Sequence, residues 1–87
     1  MKILHVVKKE NDSYAIDIAR RQLASGKEVI LVLLHDAVLS TIPLDGLKVF
    51  ACHDDVKARG GSKLNIETID YQGIVKLIFE ADNITSW

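Results

Sequence analysis

The sequence predicts an α/β fold: a single three-layer domain over residues 1–87, with a mainly parallel four-stranded sheet flanked by helices. Three observations predict it. Short β-branched segments alternate with stretches of helical periodicity four times along the chain. Residues 29–34 are apolar at six consecutive positions, which suits a strand covered on both faces better than a half-exposed one. The 87 residues are 48% hydrophobic and 26% charged, a composition that supports one core and that a disordered chain lacks.

Residues 3–7 read as the first strand, short and rich in β-branched side chains. A polar loop follows, in which Asp12 or Ser13 can cap a helix. In that helix Ala15, Ile16, Ala19 and Leu23 recur at helical spacing. Asp17 precedes Arg20 and Arg21 by three and four residues, the favoured orientation for exposed ion pairs. Gly26 supplies the left-handed residue that ends a helix. Residues 28–34 form the second strand, and residues 35–39 turn into a short helix or loop broken by Pro43 and Gly46. The third strand is 47–51, with Cys52 at its carboxyl end. A short helix over 53–59 carries Asp54 and Asp55 in its first turn, where they favour the helix dipole, and stops at Gly60-Gly61. Residues 65–69 read as a fourth strand. Asp70 caps a last helix over 71–81, apolar on one face through Ile74, Leu77 and Ile78 and on another through Val75 and Phe79. Such a helix wants a second neighbour. The expected strand order is 2-1-3-4, with the reversal of order between the first and third strands.

The composition excludes several classes of function. The formal charge is −1 and Lys8-Lys9 is the longest basic run together with Arg20-Arg21, so no direct nucleic-acid-binding surface is expected. A single cysteine forms no internal disulfide, no CxxC pair and no cysteine-rich zinc site. The opening residues lack the length and cleavage region of a signal peptide. The longest apolar run is far short of the ~20 residues of a membrane span. The expected location is therefore the cytoplasm. GxGxxG, GxxxxGK[ST] and GxSxG are all missing, which leaves no phosphate cradle and no hydrolase nucleophile elbow. His5, His35 and His53 lie at or near strand ends without metal-ligand spacing, and neighbouring strand residues point to opposite faces. Neither a metal nor an organic cofactor is expected.

Cys52 is the leading candidate for chemistry. Ligands in open α/β sheets bind outside the carboxyl ends of the strands, where strand order reverses. With order 2-1-3-4, Cys52 and the Lys8-Lys9 pair after the first strand would flank that point. A cysteine at a helix entrance sees the positive end of the dipole, which favours the thiolate. The two lysines and His53 would add to this; Asp54 and Asp55 oppose it. The alternative is a buried cysteine that packs as a small hydrophobe. Tyr71 and Trp87 read as amphipathic side chains tied against the sheet or an interface.

Several blocks of the sequence resemble the DsrH/TusB family of DsrE-like proteins. They are Met1-Lys2-Ile3-Leu4-His5-Val6-Val7, Leu33-Leu34-His35-Asp36-Ala37-Val38, Leu47-Lys48-Val49-Phe50-Ala51 with Asp54-Asp55-Val56-Lys57-Ala58-Arg59-Gly60, Ile69-Asp70-Tyr71-Gln72-Gly73-Ile74-Val75-Lys76-Leu77, and Ile84-Thr85-Ser86-Trp87. The resemblance implies a DsrE-like fold and a part in sulfur relay. In that family TusB, TusC and TusD subunits assemble and pass persulfide sulfur toward 2-thiouridine at the tRNA wobble position. It implies DsrE/TusD-like and DsrF/TusC-like partners or self-association, and an upstream persulfide carrier. Many DsrH/TusB proteins lack a cysteine at position 52. In the DsrE/TusD branch, however, a sulfur-carrying cysteine precedes a helix ending in Arg-Gly, and Cys52 precedes Arg59-Gly60 with that spacing. The resemblance thus implies Cys52 as sulfur acceptor, His53 in proton transfer and Lys8 or Lys9 beside the thiolate. The competing expectation is a scaffold subunit without chemistry of its own. A third is a small-molecule binding module at the strand ends.

Overall fold

The computed structural model describes residues 1–62 and 65–87. Five strands and three α-helices alternate: β1 (Lys2–Val7), α1 (Ser13–Ala24), β2 (Glu28–Leu33), a 3-10 turn (His35–Leu39), β3 (Lys48–Cys52), α2 (His53–Ala58), β4 (Glu67–Ile69), α3 (Tyr71–Glu80) and β5 (Asn83–Ser86). All strand pairs are parallel. The α/β class, the parallel sheet and the three layers are as the sequence predicts.

The strand number and order are not. The sheet has five strands in the order β4-β3-β2-β1-β5, where four strands in the order 2-1-3-4 were expected. Two physical facts account for the difference. β2 is buried at every position from Val29 to Leu33, because it sits at the centre of the sheet with β1 on one side and β3 on the other. The fifth strand, Asn83-Ile84-Thr85-Ser86, is exposed at three of its four positions. An edge strand of this kind carries little apolar periodicity to read. It adds to the free side of β1, pairing Ile3 with Asn83 and Val6 with Ser86. The reversal of order therefore falls between β1 and β5.

This order also divides the helices. Steps from β1 to β4 proceed in one direction, and right-handed crossovers then keep their connections on one face. The return from β4 to β5 crosses on the other. The two cores follow the division. Ala15, Ile16 and Ala19 of α1, Val38 of the 3-10 turn and Val56 of α2 pack with Val7, Val29, Leu31, Leu33 and Ala51. Ile74, Leu77 and Ala81 pack with Leu4, Ile30 and Val32 on the opposite face.

Local chemistry sets the element ends. Asp12 caps α1 by accepting from the Ala15 N–H at 3.2 Å, and Asp70 caps α3 by accepting from the Gly73 N–H at 2.8 Å. Gly26, at φ +91°, ends α1 as expected. Arg20 departs from the surface pair expected with Asp17. It donates to the carbonyls of Asp45 (2.7 Å) and Pro43 (3.0 Å) and so clamps the loop before β3. Leu23 departs too: it is exposed, and Gln22 turns inward in its place.

Gln22 turns inward to meet His5, which is fully buried on β1. His5 Nε2 lies 2.6 Å from Gln22 Oε1, and the Trp87 indole N–H donates to His5 Nδ1 at 2.9 Å. An indole N–H can only donate. Nδ1 is therefore the acceptor, and Nε2 carries the proton that Gln22 accepts. Trp87 also donates its backbone N–H to the Val6 carbonyl and meets Tyr14 edge-on at 5.5 Å. Trp87→Phe keeps the ring but leaves His5 Nδ1 buried without a donor. Equilibrium urea unfolding of this variant is expected to show a loss of about 1–3 kcal/mol, and an unchanged midpoint would contradict the assignment.

Candidate functional site

Cys52 is the last residue of β3 and the N-cap of α2. It is partly buried and free of any disulfide. It packs with Leu34 and Ile69 on the side of the sheet that α3 covers, while α2 lies on the other side through Val56. With six residues, α2 offers a weak dipole compared with a longer helix, because the effect grows from aligned peptides over successive turns.

Asp55, three residues on and one turn into α2, lies beside the Cys52 thiol. Asp55 is held from two further sides. Its Oδ2 accepts the His35 backbone N–H at 2.9 Å, and its Oδ1 lies 3.4 Å from Arg59 Nη1. Arg59 Nε reaches Asp36 Oδ1 at 3.2 Å. The carboxyl end of β2 and the helix after β3 are thus tied by an Asp55–Arg59–Asp36 chain, with the His35 amide on Asp55. His35 adopts the left-handed conformation at φ 51°, which aims that amide at Asp55. This is a sparsely populated region for a side chain with a Cβ. The His35 N–H is the main reason the Asp55 carboxyl sits below its usual value of 3.8; the Cys52 thiol and the positive charges of His35 and Arg59 act in the same direction, against the opposing effect of burial.

The other expected site residues lie at varying distances from this chain. His53 follows Cys52 directly and is exposed at the start of α2. Lys8 and Lys9 are exposed beyond the end of β1. Because β2 runs between β1 and β3, the two lysines follow a strand about 10 Å from β3 and bracket the reversal point with Trp87, not with Cys52. His5 has both ring nitrogens engaged and lies apart from His35 and His53. No group of three or more His, Cys, Asp or Glu side chains converges as metal ligands among the described residues. Sequence reasoning set Asp55 near Cys52 but missed the His35 amide and Arg59 that hold it. The Arg59 contact was present in the spacing, four residues on along α2.

A cleft of about 580 Å³ lies elsewhere, lined by Pro43, Leu44, Leu47, Val49, Ile66 and Glu67 among others. It opens at the amino ends of β3 and β4, the opposite end of the sheet from Cys52. Its lining includes Thr41, Asp45 and Glu67 but not the thiol, which lies at the other end of the sheet. No helix among the described residues is long and apolar enough to cross a membrane.

These features define a parallel α/β protein that carries one free thiol at the carboxyl end of a strand. A family model described as DsrH-like protein matches residues 12–84, and the chain belongs to that family. It is a member of a sulfur-relay family. No curated protein matches the chain at a significant level.

Asp55 provides a test of the bonded chain. A carboxyl held below its unfolded value contributes stability that is full above the unfolded value and is lost as pH falls through the folded one. The stability gap between wild type and Asp55→Asn, measured by thermal unfolding, is expected to be full at neutral pH and to shrink below about pH 4. A gap independent of pH would remove the charged Asp55 from this account.

Proposed function

We propose that this protein is a sulfur-relay subunit in which Cys52 accepts persulfide sulfur and passes it to a partner thiol, toward 2-thiouridine formation at the tRNA wobble position. The observation that carries the reading is the DsrH-like match over residues 12–84. It is supported by the placement of a free, partly exposed thiol at the carboxyl end of a parallel strand, where α/β folds present reactive groups.

The chemistry needs no external oxidant or reductant. The Cys52 thiolate attacks the outer sulfur of a donor R–S–SH. A bond forms from Cys52 Sγ to that sulfur, the donor S–S bond breaks, and R–S⁻ leaves. The proton lost from the Cys52 thiol ends on the leaving sulfur. A second exchange with an acceptor thiolate restores Cys52. Asp55, beside the thiol, orients Sγ for the attack. His53, exposed beside it, is placed to exchange the proton with solvent. Lys8 and Lys9, separated from Cys52 by β2, act only at longer range, adding positive potential that favours the thiolate. No metal or organic cofactor enters the scheme.

The partners in this reading are an upstream persulfide carrier and DsrE/TusD-like and DsrF/TusC-like subunits, or further copies of the chain. The place of action is the cytoplasm, and the tRNA is reached through partners, without direct contact. A second reading, a scaffold subunit that orients a partner's cysteine, is favoured by the apolar surface that α3 leaves exposed through Tyr71, Ile78 and Phe79.

Incubation with a cysteine desulfurase and cysteine, followed by intact-mass analysis, separates the two. The wild type is expected to gain one sulfur that a reductant removes, and Cys52→Ser is expected to gain none. Equal loading of the serine variant, or no gain by the wild type, would overturn the carrier role; the second result would leave the scaffold.

A further inference from the structure

β5 is held to the sheet from one side only. It is exposed at Asn83, Ile84 and Ser86, pairs with β1 alone, and owes little to burial. Two anchors fix its ends. Asp82 Oδ2 accepts the Lys2 backbone N–H at 2.8 Å before the strand, and the Trp87 indole donates to His5 Nδ1 at 2.9 Å after it. The second anchor exists in one protonation state of His5. Neutral, His5 accepts at Nδ1 and donates from Nε2 to Gln22 Oε1. An imidazolium donates at both nitrogens, so its Nδ1–H would face the indole N–H. Neither group can adapt: an indole N–H never accepts, and His5 is fully buried. The indole turns its N–H edge to the imidazole, with the rings tilted by 31° and their centroids 5.9 Å apart. Its electron-rich face is therefore not aimed at the new charge.

The surroundings of His5 offer that charge no counterion. β2 places Leu31 beside it and β5 places Thr85. α1 contributes Gln22, and Tyr14 packs edge-on against Trp87. The other ionisable residues of α1 are Asp17, Arg20 and Arg21; Arg20 is bound to the carbonyls of Pro43 and Asp45. On β1 and β2, Lys2 and Glu28 pair with each other at the far end of the strands. Among the described residues no carboxylate forms an ion pair with His5. We propose that His5 is an acid-operated latch on β5. Uptake of a proton at Nδ1 expels Trp87, and β5, left with one anchor and a four-residue ladder, leaves β1 while β1 to β4 stay paired. The closed form holds His5 neutral and the open form frees it to water, so acid favours opening. One proton taken up raises the open-to-closed ratio up to about tenfold per pH unit below about 6.5, where a free histidine titrates. Opening uncovers the outer edge of β1, to which an extended strand can add. The device uses none of the groups around Cys52, so sulfur loading and opening stand or fall separately.

Hydrogen exchange of the isotopically labelled full chain, read by NMR from about pH 7 to about pH 5, tests the latch. The reporter is the Trp87 backbone N–H, bonded to the Val6 carbonyl, with its protection taken relative to the free-chain exchange rate at each pH. Protection is expected to fall more than about tenfold over this range, while the amides of Val29 to Leu33 on β2 keep theirs. His5→Asn keeps an acceptor for the indole but does not titrate, and should abolish the fall. Asp82→Asn should lower protection at every pH and leave the fall in place, because free carboxylates stay ionised above about pH 5. No fall, or a fall shared equally by the β2 amides, overturns the inference. So does a fall that survives in His5→Asn or vanishes in Asp82→Asn. The wild type alone gives the first two results, so a variant that fails to fold does not shield the proposal.

Discussion

Everything in this fold follows from the parallel placement of β2 between β1 and β3. That pairing buries Val29 to Leu33 on both faces, each such side chain contributing about 1.5–3 kcal/mol relative to exposure. It also fixes the direction in which the chain steps across the sheet. Parallel neighbours require crossovers, and crossovers have one hand. Once β1, β2, β3 and β4 are laid in sequence, α1 and α2 must share a face, and the final helix must return across the other. The unequal covering of the two faces is thus a result of strand order. Among the described residues it leaves α3 as the only helix on its side, with Tyr71 and Phe79 unburied.

The same order decides which residues can cooperate. Cys52 ends β3, and Lys8-Lys9 follow β1, so a whole strand separates them. The thiol is left to its immediate surroundings: Asp55 in the next turn, the His35 amide from β2's end, and Arg59 bridging to Asp36. The His35 amide and the Arg59 guanidinium hold the Asp55 carboxylate in place beside the sulfur.

Much of the fold was legible in the sequence, because the signals concerned were strong ones. The apolar run of β2, the capping aspartates Asp12 and Asp70, and the glycines after α1 and α2 all marked their elements. β5 was not legible as a strand. Its stability comes from hydrogen bonds to β1 and from the anchoring of Trp87 on His5, neither of which leaves a periodic trace. Missing it moved the reversal of strand order and, with it, the expected neighbours of Cys52. Arg20 misled for a related reason. Its polar side chain fits a solvated face, but it has loop partners distant in sequence. Local spacing cannot announce such a partner. For the site, Cys52 and the helix after it stood out as residue types, while the left-handed turn at His35 that aims an amide at Asp55 had no sequence signature of its own.

The β1–β5 pairing has a kinetic consequence. It joins the first strand to residues some eighty positions later, and the His5–Trp87 bond spans 82 residues. Contacts this remote carry a large loop-closure cost and form late. During synthesis, β1 has one satisfied neighbour and one bare edge until residue 86 is available to pair. The half-built sheet therefore presents an open strand flank throughout translation, a surface that chaperones recognise and that unrelated strands can invade.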